Sequence, residues 1–260
     1  MTILDNIIAD KKREVAERKA ALSVFDIENG DTFDRKCISL KQSLLQSSSG
    51  IIAEFKRKSP SKGWIRQQAD AAETASGYCK NGAAGISILT DFLHFGGKAA
   101  DLIQARPFVN CPILRKDFMI DEYQLYEAKS YGADVVLLIA AALTTKECYQ
   151  LAQKAKVLGL ETLLEIHNEQ ELKHINQFID LVGVNNRNLK TFEISIDVSL
   201  ALADRIPAEF VKISESGISS VETLKTLRNA GFKGFLMGET FMKEENPAEA
   251  LKKFIQQIIP

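Results

Sequence analysis

From residue 51 onward the chain repeats one pattern: a short apolar run, a longer amphipathic stretch, then another run. The runs fall at 51–55, 85–89, 112–114, 135–139, 162–166, 181–184, 210–213 and 234–237. Apolar runs of this length suit strands covered on both faces, as in a parallel sheet. The intervening stretches are amphipathic, most clearly at 122–131, 146–158 and 221–230. Gly132, Gly159 and Gly231 stand where a left-handed residue would close each of these helices. Strand, helix, strand at this cadence gives parallel pairing through right-handed crossovers. Eight such units predict an α/β chain folded as a (β/α)8 TIM barrel. The rival, an open doubly wound sheet, would want a G-x-G-x-x-G turn after an early strand, and none follows any of the runs.

The first fifty residues lack this pattern. Residues 3 to about 22 predict an amphipathic helix, with Ile3, Leu4, Ile7, Ile8 and Val15 near one side and Lys11, Lys12, Arg13 and Glu14 largely opposite. Its short apolar face and mixed charges favour packing on the protein body over lying on a membrane. A second helix is expected over 39–46, ended by Ser47-Ser48-Ser49-Gly50. The expected organisation is one domain over residues 1–260, with 1–50 a helical extension and 51–260 the barrel.

Bulk properties exclude several functions. A net charge of −1 argues against a general nucleic-acid binder, so an anionic ligand must be held by local basic residues. No stretch has the length of a membrane span, and Asp5 and Asp10 interrupt the apolar start that a signal peptide would need. Cys37, Cys79, Cys111 and Cys148 form no C-x-x-C pair and read as small core residues in a reducing compartment. A cytoplasmic enzyme with no nucleic-acid or membrane partner is expected. A monomer is favoured, with a dimer as the alternative.

A barrel of this kind places its active site at the C-terminal ends of the strands. The first run ends in Glu54 and Lys56, two residues apart and therefore on one face, with Phe55 on the other. The loop Arg57-Lys58-Ser59-Pro60-Ser61-Lys62-Gly63 follows, with Arg57 and Lys58 expected in solvent. The later ends bring Thr90-Asp91 and Phe95-Gly96-Gly97, then Arg115-Lys116-Asp117-Phe118, Leu137, Glu165, Asn185-Asn186-Arg187, Ser214-Glu215-Ser216-Gly217 and Gly238-Glu239. Lys56, Lys116 and Arg187 offer positive charge to an anionic substrate, and Glu54 and Glu165 offer carboxylates. A lysine in such a mouth, near a second cation, is expected to have a lowered pKa and to serve as a general acid. Ser216-Gly217 and Gly238 suit the phosphate site that barrels build after strands seven and eight. His94 in a loop, His167 after the fifth run and His174 in a helix show no ligand spacing, so no metal is assigned.

With these residues in order, the chain resembles the indole-3-glycerol-phosphate synthase family over almost its whole length. IIAEFKRKSPSKG carries the resemblance furthest, joined in sequence by ILTD, FGG, PILRKDFMIDEYQ, GADVVLLIAA, LLEIH, VGVNNRNL, SESGI and LMGETFM. The resemblance implies a lyase of tryptophan biosynthesis that needs no cofactor. It would close 1-(2-carboxyphenylamino)-1-deoxyribulose 5-phosphate to indole-3-glycerol phosphate, with release of carbon dioxide and water. It implies Lys116 as the acid for ring closure, with Glu165 and Glu54 handling protons and hydroxyls. Lys56 would lie near the phosphate and be available for the dehydration, and Asn185 would hold a hydroxyl or orient a carboxylate. Ser59 and Arg187 would sit near the anthranilate carboxylate, and Phe95, Phe118, Leu137 and Leu189 would form the aromatic slot. Ser216, Gly217, Gly238 and Glu239, with Lys56, would carry the phosphate. His94, Lys98 and Asn188 depart from the family's usual residues. The rival readings are another phosphosugar barrel enzyme, such as a phosphoribosylanthranilate isomerase, and an inactive barrel that serves as a binding partner. The first barrel loop is expected to close over the substrate.

Overall fold

The computed structural model describes residues 2–60, 62–189 and 191–258. Eight parallel strands close into a barrel: β1 (Ile51–Phe55), β2 (Gly85–Leu89), β3 (Ile113–Lys116), β4 (Val135–Ile139), β5 (Glu161–Ile166), β6 (Leu181–Asn185), β7 (Val211–Glu215) and β8 (Gly234–Met237). Each pairs with the next in sequence, and β8 pairs with β1 with Ile51 opposite Phe235. The expected (β/α)8 fold therefore holds. Two strands run further than their apolar letters suggest. β3 continues through Arg115 and Lys116, and β7 through Ser214 and Glu215. Lys116 and Glu215 point into the mouth, while Arg115 and Ser214 point outward and are bonded there, to Glu127 and Ser199.

Most crossovers are helical. α1 (Ile3–Ala21), α2 (Val24–Glu28) and α3 (Leu40–Gln46) precede the barrel. Between the strands lie α4 (Ala71–Lys80), α5 (Phe92–Phe95), α6 (Ala99–Ala105), α7 (Tyr123–Tyr131), α8 (Thr145–Val157), α9 (Asp197–Leu202) and α10 (Val221–Asn229). α11 (Glu239–Met242) and α12 (Pro247–Ile258) follow β8. The connection from β5 to β6 uses a 3-10 segment, Glu169–His174, in place of an α-helix, and it contains the expected helical His174. Thr2 and Asp5 form a capping box that starts α1, and Thr144 and Glu147 do the same for α8. Gly132, Gly159 and Gly231 all have positive φ, as their positions after helices predict.

The barrel interior is layered. Ile52, Leu114, Leu163 and Ile213, one from each odd strand, pack in a single buried cluster. Leu40 and Leu44 of α3 join that cluster and close its base like a stopper. Two residues further along the same four strands stand Glu54, Lys116, Glu165 and Glu215. A barrel layer takes its side chains from alternate strands, so one apolar layer lies directly beneath one charged layer.

The extension is bound more tightly than its amphipathic pattern implies. Lys11, expected on the polar face of α1, is only 1% exposed. Its ammonium lies 3.0 Å from Asp91, 2.9 Å from Asp117 and 2.6 Å from Glu14. Two buried carboxylates at the barrel mouth require a cation, and α1 supplies it. Asp134 does the same work lower down, accepting from Arg35, Arg106 and the Ile38 and Ile113 backbone N–H groups at 2.7–2.8 Å. No helix among the described residues is long and apolar enough to cross a membrane.

Candidate active site

Every residue given a catalytic, substrate or phosphate role lines one cavity of about 400 Å³ at the C-terminal mouth, while Thr90, Gly96, Gly97, Arg115, Asn186 and Ser214 of the same strand ends do not. That volume suits a small-molecule ligand. Lys116 is the centre. Its ammonium lies 2.8 Å from Glu165 Oε2 and 2.5 Å from Glu215 Oε2. Burial pulls the Lys116 pKa down, but Glu165, Glu215 and Glu54 outweigh it and hold the pKa above the ordinary lysine value. The lowered value expected for this lysine is therefore wrong for the resting site. The reason is the partner set: carboxylates, not a second cation, surround it.

Glu165 also accepts from Asn185 Nδ2 at 3.1 Å. Burial raises its pKa, yet Lys116 and His167 together leave it well below the usual carboxylate range. Glu54 pairs with Lys56 at 2.8 Å and accepts from Ser87 at 3.3 Å. The Asn185 side chain in turn accepts from the Arg187 backbone N–H at 3.0 Å.

The walls divide by chemistry. Phe95 and Phe118 face each other with ring centroids 6.1 Å apart, and Leu137 and Leu189 continue the apolar side. Ser59 lines the same cavity and is buried. At the opposite strand ends, Ser216 and Gly217 both adopt left-handed backbone, with φ 67° and 76°. For serine that conformation is uncommon, and its place beside a cluster of charges marks a functional turn. Gly238 opens α11, and a Cβ there would sit 2.7 Å from Glu54 Oε1, so the carboxylate itself requires the glycine. Glu239 pairs with Lys62 at 3.2 Å, which ties the loop after β1 to the loop after β8. Ser61 of that first loop lies outside the described residues.

Several contributors escaped the sequence reading. Glu215 stood in the SESGI segment, but its inward direction follows only from β7 continuing past Ile213. His167 touches Glu165 through Nε2 at 3.2 Å. Ile3, Leu4 and Ile7 of α1, together with Phe192 and Lys243, also line the cavity. Alternation in the ILRK and VKISE segments was the available signal for the inward glutamate. Two expectations near the mouth fail. Arg57 is not in solvent but grips Asp101 with two nitrogens at 2.5 and 2.8 Å and lies over the Phe55 ring. Lys58 is half-buried over Trp64. His94 lies in α5 and meets Asp10 of α1 at 3.1 Å, a contact that braces the helix that carries Phe95.

Among the described residues no group of three or more His, Cys, Asp and Glu side chains is arranged to hold a metal ion. Fold and site together define a (β/α)8 enzyme equipped for acid–base chemistry, with an apolar slot at one side of its cavity and glycine-rich turns at another. The family model described as indole-3-glycerol phosphate synthase matches residues 4–254. An indole-3-glycerol phosphate synthase from Bacteroides thetaiotaomicron is 53% identical over 256 residues, covering 98% of both chains. One from Salinibacter ruber is 43% identical, covering 97% of this chain and 95% of its own. A chain from the tryptophan synthase a2b2 complex of Pyrococcus furiosus superposes with a TM-score of 0.61 at 17% identity, covering 82% of this chain and 98% of its own, and shares the fold. The chain belongs to the indole-3-glycerol phosphate synthase family.

Proposed function

We propose that the cavity converts 1-(2-carboxyphenylamino)-1-deoxyribulose 5-phosphate to indole-3-glycerol phosphate, carbon dioxide and water. The observation that carries this reading is Lys116, half-buried and charged between Glu165 and Glu215 in the cavity that the apolar slot and the glycine-rich turns share. Phe95, Phe118, Leu137 and Leu189 hold the anthranilate ring, and Ser59 and Arg187 receive its carboxylate. Backbone N–H groups at Ser216, Gly217, Gly238 and Glu239, with Lys56, receive the phosphate.

Ring closure turns a ketone oxygen into an alkoxide. The Lys116 ammonium polarises that oxygen and delivers a proton as its basicity rises. Loss of carbon dioxide leaves the ring system neutral. Expulsion of the hydroxyl as water then needs a second proton, and Lys56, paired with Glu54, stands at the end of β1 to give it. Glu165, held ionised, accepts the proton removed during dehydration, with Asn185 fixing its orientation. The whole chain works as one domain, because the extension contributes both a cavity wall and the cation of the Asp91–Asp117 pair. We place the enzyme in the cytoplasm as a monomer that needs no cofactor and no nucleic-acid or membrane partner.

The test is indole-product fluorescence from that substrate, for the wild type and for Lys116→Met. Turnover in the wild type with a loss of about 10²-fold or more in the variant is expected. Turnover that survives the substitution would move the acid role away from Lys116.

A further inference from the structure

Lys116 lies between two carboxylates that look equivalent in sequence, yet their surroundings differ. Glu165 has one further hydrogen-bond donor and one further ion-pair neighbour. Asn185 reaches Oε1 at 3.1 Å, and His167 Nε2 lies 3.2 Å from the same oxygen. His167 is itself held from behind, with Nδ1 3.2 Å from Glu171 Oε2 and its backbone N–H donating to that oxygen at 2.7 Å. Asn168 fixes the other Glu171 oxygen at 2.9 Å. An imidazole between two carboxylates is stabilised as imidazolium. Glu215 has none of this. Beyond Lys116, its Oε1 is buried and makes no hydrogen bond among the described residues. The wall beside it is Gly183, where a Cβ would stand 2.5 Å from that oxygen.

We propose that His167 is a positioning residue that makes the two carboxylates on Lys116 unequal, keeping Glu165 an anion and leaving Glu215 to carry the exchangeable proton. The inference rests on the reaction proposed above. When Lys116 gives a proton to the substrate oxygen, protonated Glu215 passes its own proton to the Lys116 amine and becomes the carboxylate. Solvent at the open mouth restores the proton afterwards, so the balance closes within the cycle. His167 closes the LLEIH segment, and the pair of flanking glutamates makes it charged.

The electrostatics point the same way. The groups facing His167 are Glu165 and Glu171; those facing Glu215 are Lys116, Glu165 and Glu54. Burial pulls His167 down, but its two carboxylates push it up to about 10. Burial raises Glu215, Lys116 opposes, Glu165 and Glu54 add to the rise, and it comes to about 7.

Two measurements test the assignment. The first is a nitrogen-15 NMR titration of the histidines in the wild type without substrate, with His167 assigned by its loss in His167→Gln. Its imidazolium signal should persist above pH 8, and titration near the ordinary value of about 6.5 would overturn the proposal. The second is a carbon-13 titration of labelled glutamate side chains in wild type and His167→Gln, with kcat followed over the same pH range. Removing a cation makes the pair harder to ionise, so the carboxylate titrating near pH 7 should move up by about one unit, and the kcat limb with it. Identical profiles in the two proteins would overturn the proposal. Neither NMR titration needs turnover. Charged His167 with unequal carboxylates but no indole product would leave the inference standing and sink the reaction.

Discussion

At the level of single residues, the site is defined as much by what is missing as by what is charged. Gly183 and Gly238 are small because Glu215 and Glu54 lean against them. Gly183→Ala would place a methyl group 2.5 Å from Glu215 Oε1, so the carboxylate must turn away from Lys116. The expected result is a fall in kcat of about 10²-fold with KM nearly unchanged, since small displacements of a reacting group are costly. Steady-state kinetics check it, and an unchanged kcat would remove Glu215 from the reaction. Sequence alone reached Glu54, Lys116 and Glu165, because each ends an apolar run. It passed over Glu215, because the serines around that glutamate read as a phosphate turn. It also passed over His167, since a lone histidine after a strand carries no spacing signal, and its importance comes from Glu171 folding back four residues later.

Among the elements, α1 is the one whose role the pattern concealed. Helical periodicity set Lys11 among solvent-facing charges, yet the buried Asp91 and Asp117 turn it inward. Only the fold brings those three residues together, so no local window of sequence could show it. The contact reaches the slot. Asp91 accepts from the His94 N–H at 2.9 Å and so caps α5, which carries Phe95. Asp117 accepts from the Phe118 N–H at 2.8 Å. Lys11→Met would leave Asp91 without its cation and Asp117 with Arg115 alone, and breaking a buried pair costs about 3–5 kcal/mol. Urea denaturation should show that loss, and KM should rise because Phe95 and Phe118 lose their brace. A stability loss with KM unchanged would mean that the cluster anchors the helix without shaping the slot.

For the molecule as a whole, the buried charges set a pH window. Asp117 and Glu165 are held below their unfolded values of about 4, so their contribution is full above that pH and fades as pH falls below it. His167 is raised, so its contribution is full below about 6.5 and fades as pH climbs toward about 10. Glu215 is also raised, and its ionisation costs stability between about 4.3 and about 7. Calorimetry should therefore find the highest Tm on the acid side of neutrality, with a decline toward pH 10 that His167→Gln flattens. The barrel was legible because apolar runs and helix-ending glycines are local signals; the pairing of charges across the mouth is not local and had to be seen. The stacked layers have a consequence for descent. Glu54, Lys116, Glu165 and Glu215 stand one step above Ile52, Leu114, Leu163 and Ile213 on the same strands. About 6.6 Å of backbone separates what reacts from what holds the barrel shut. A lineage could exchange the upper ring for another set of groups and keep the lower ring as inherited, so new chemistry need not begin with a new scaffold.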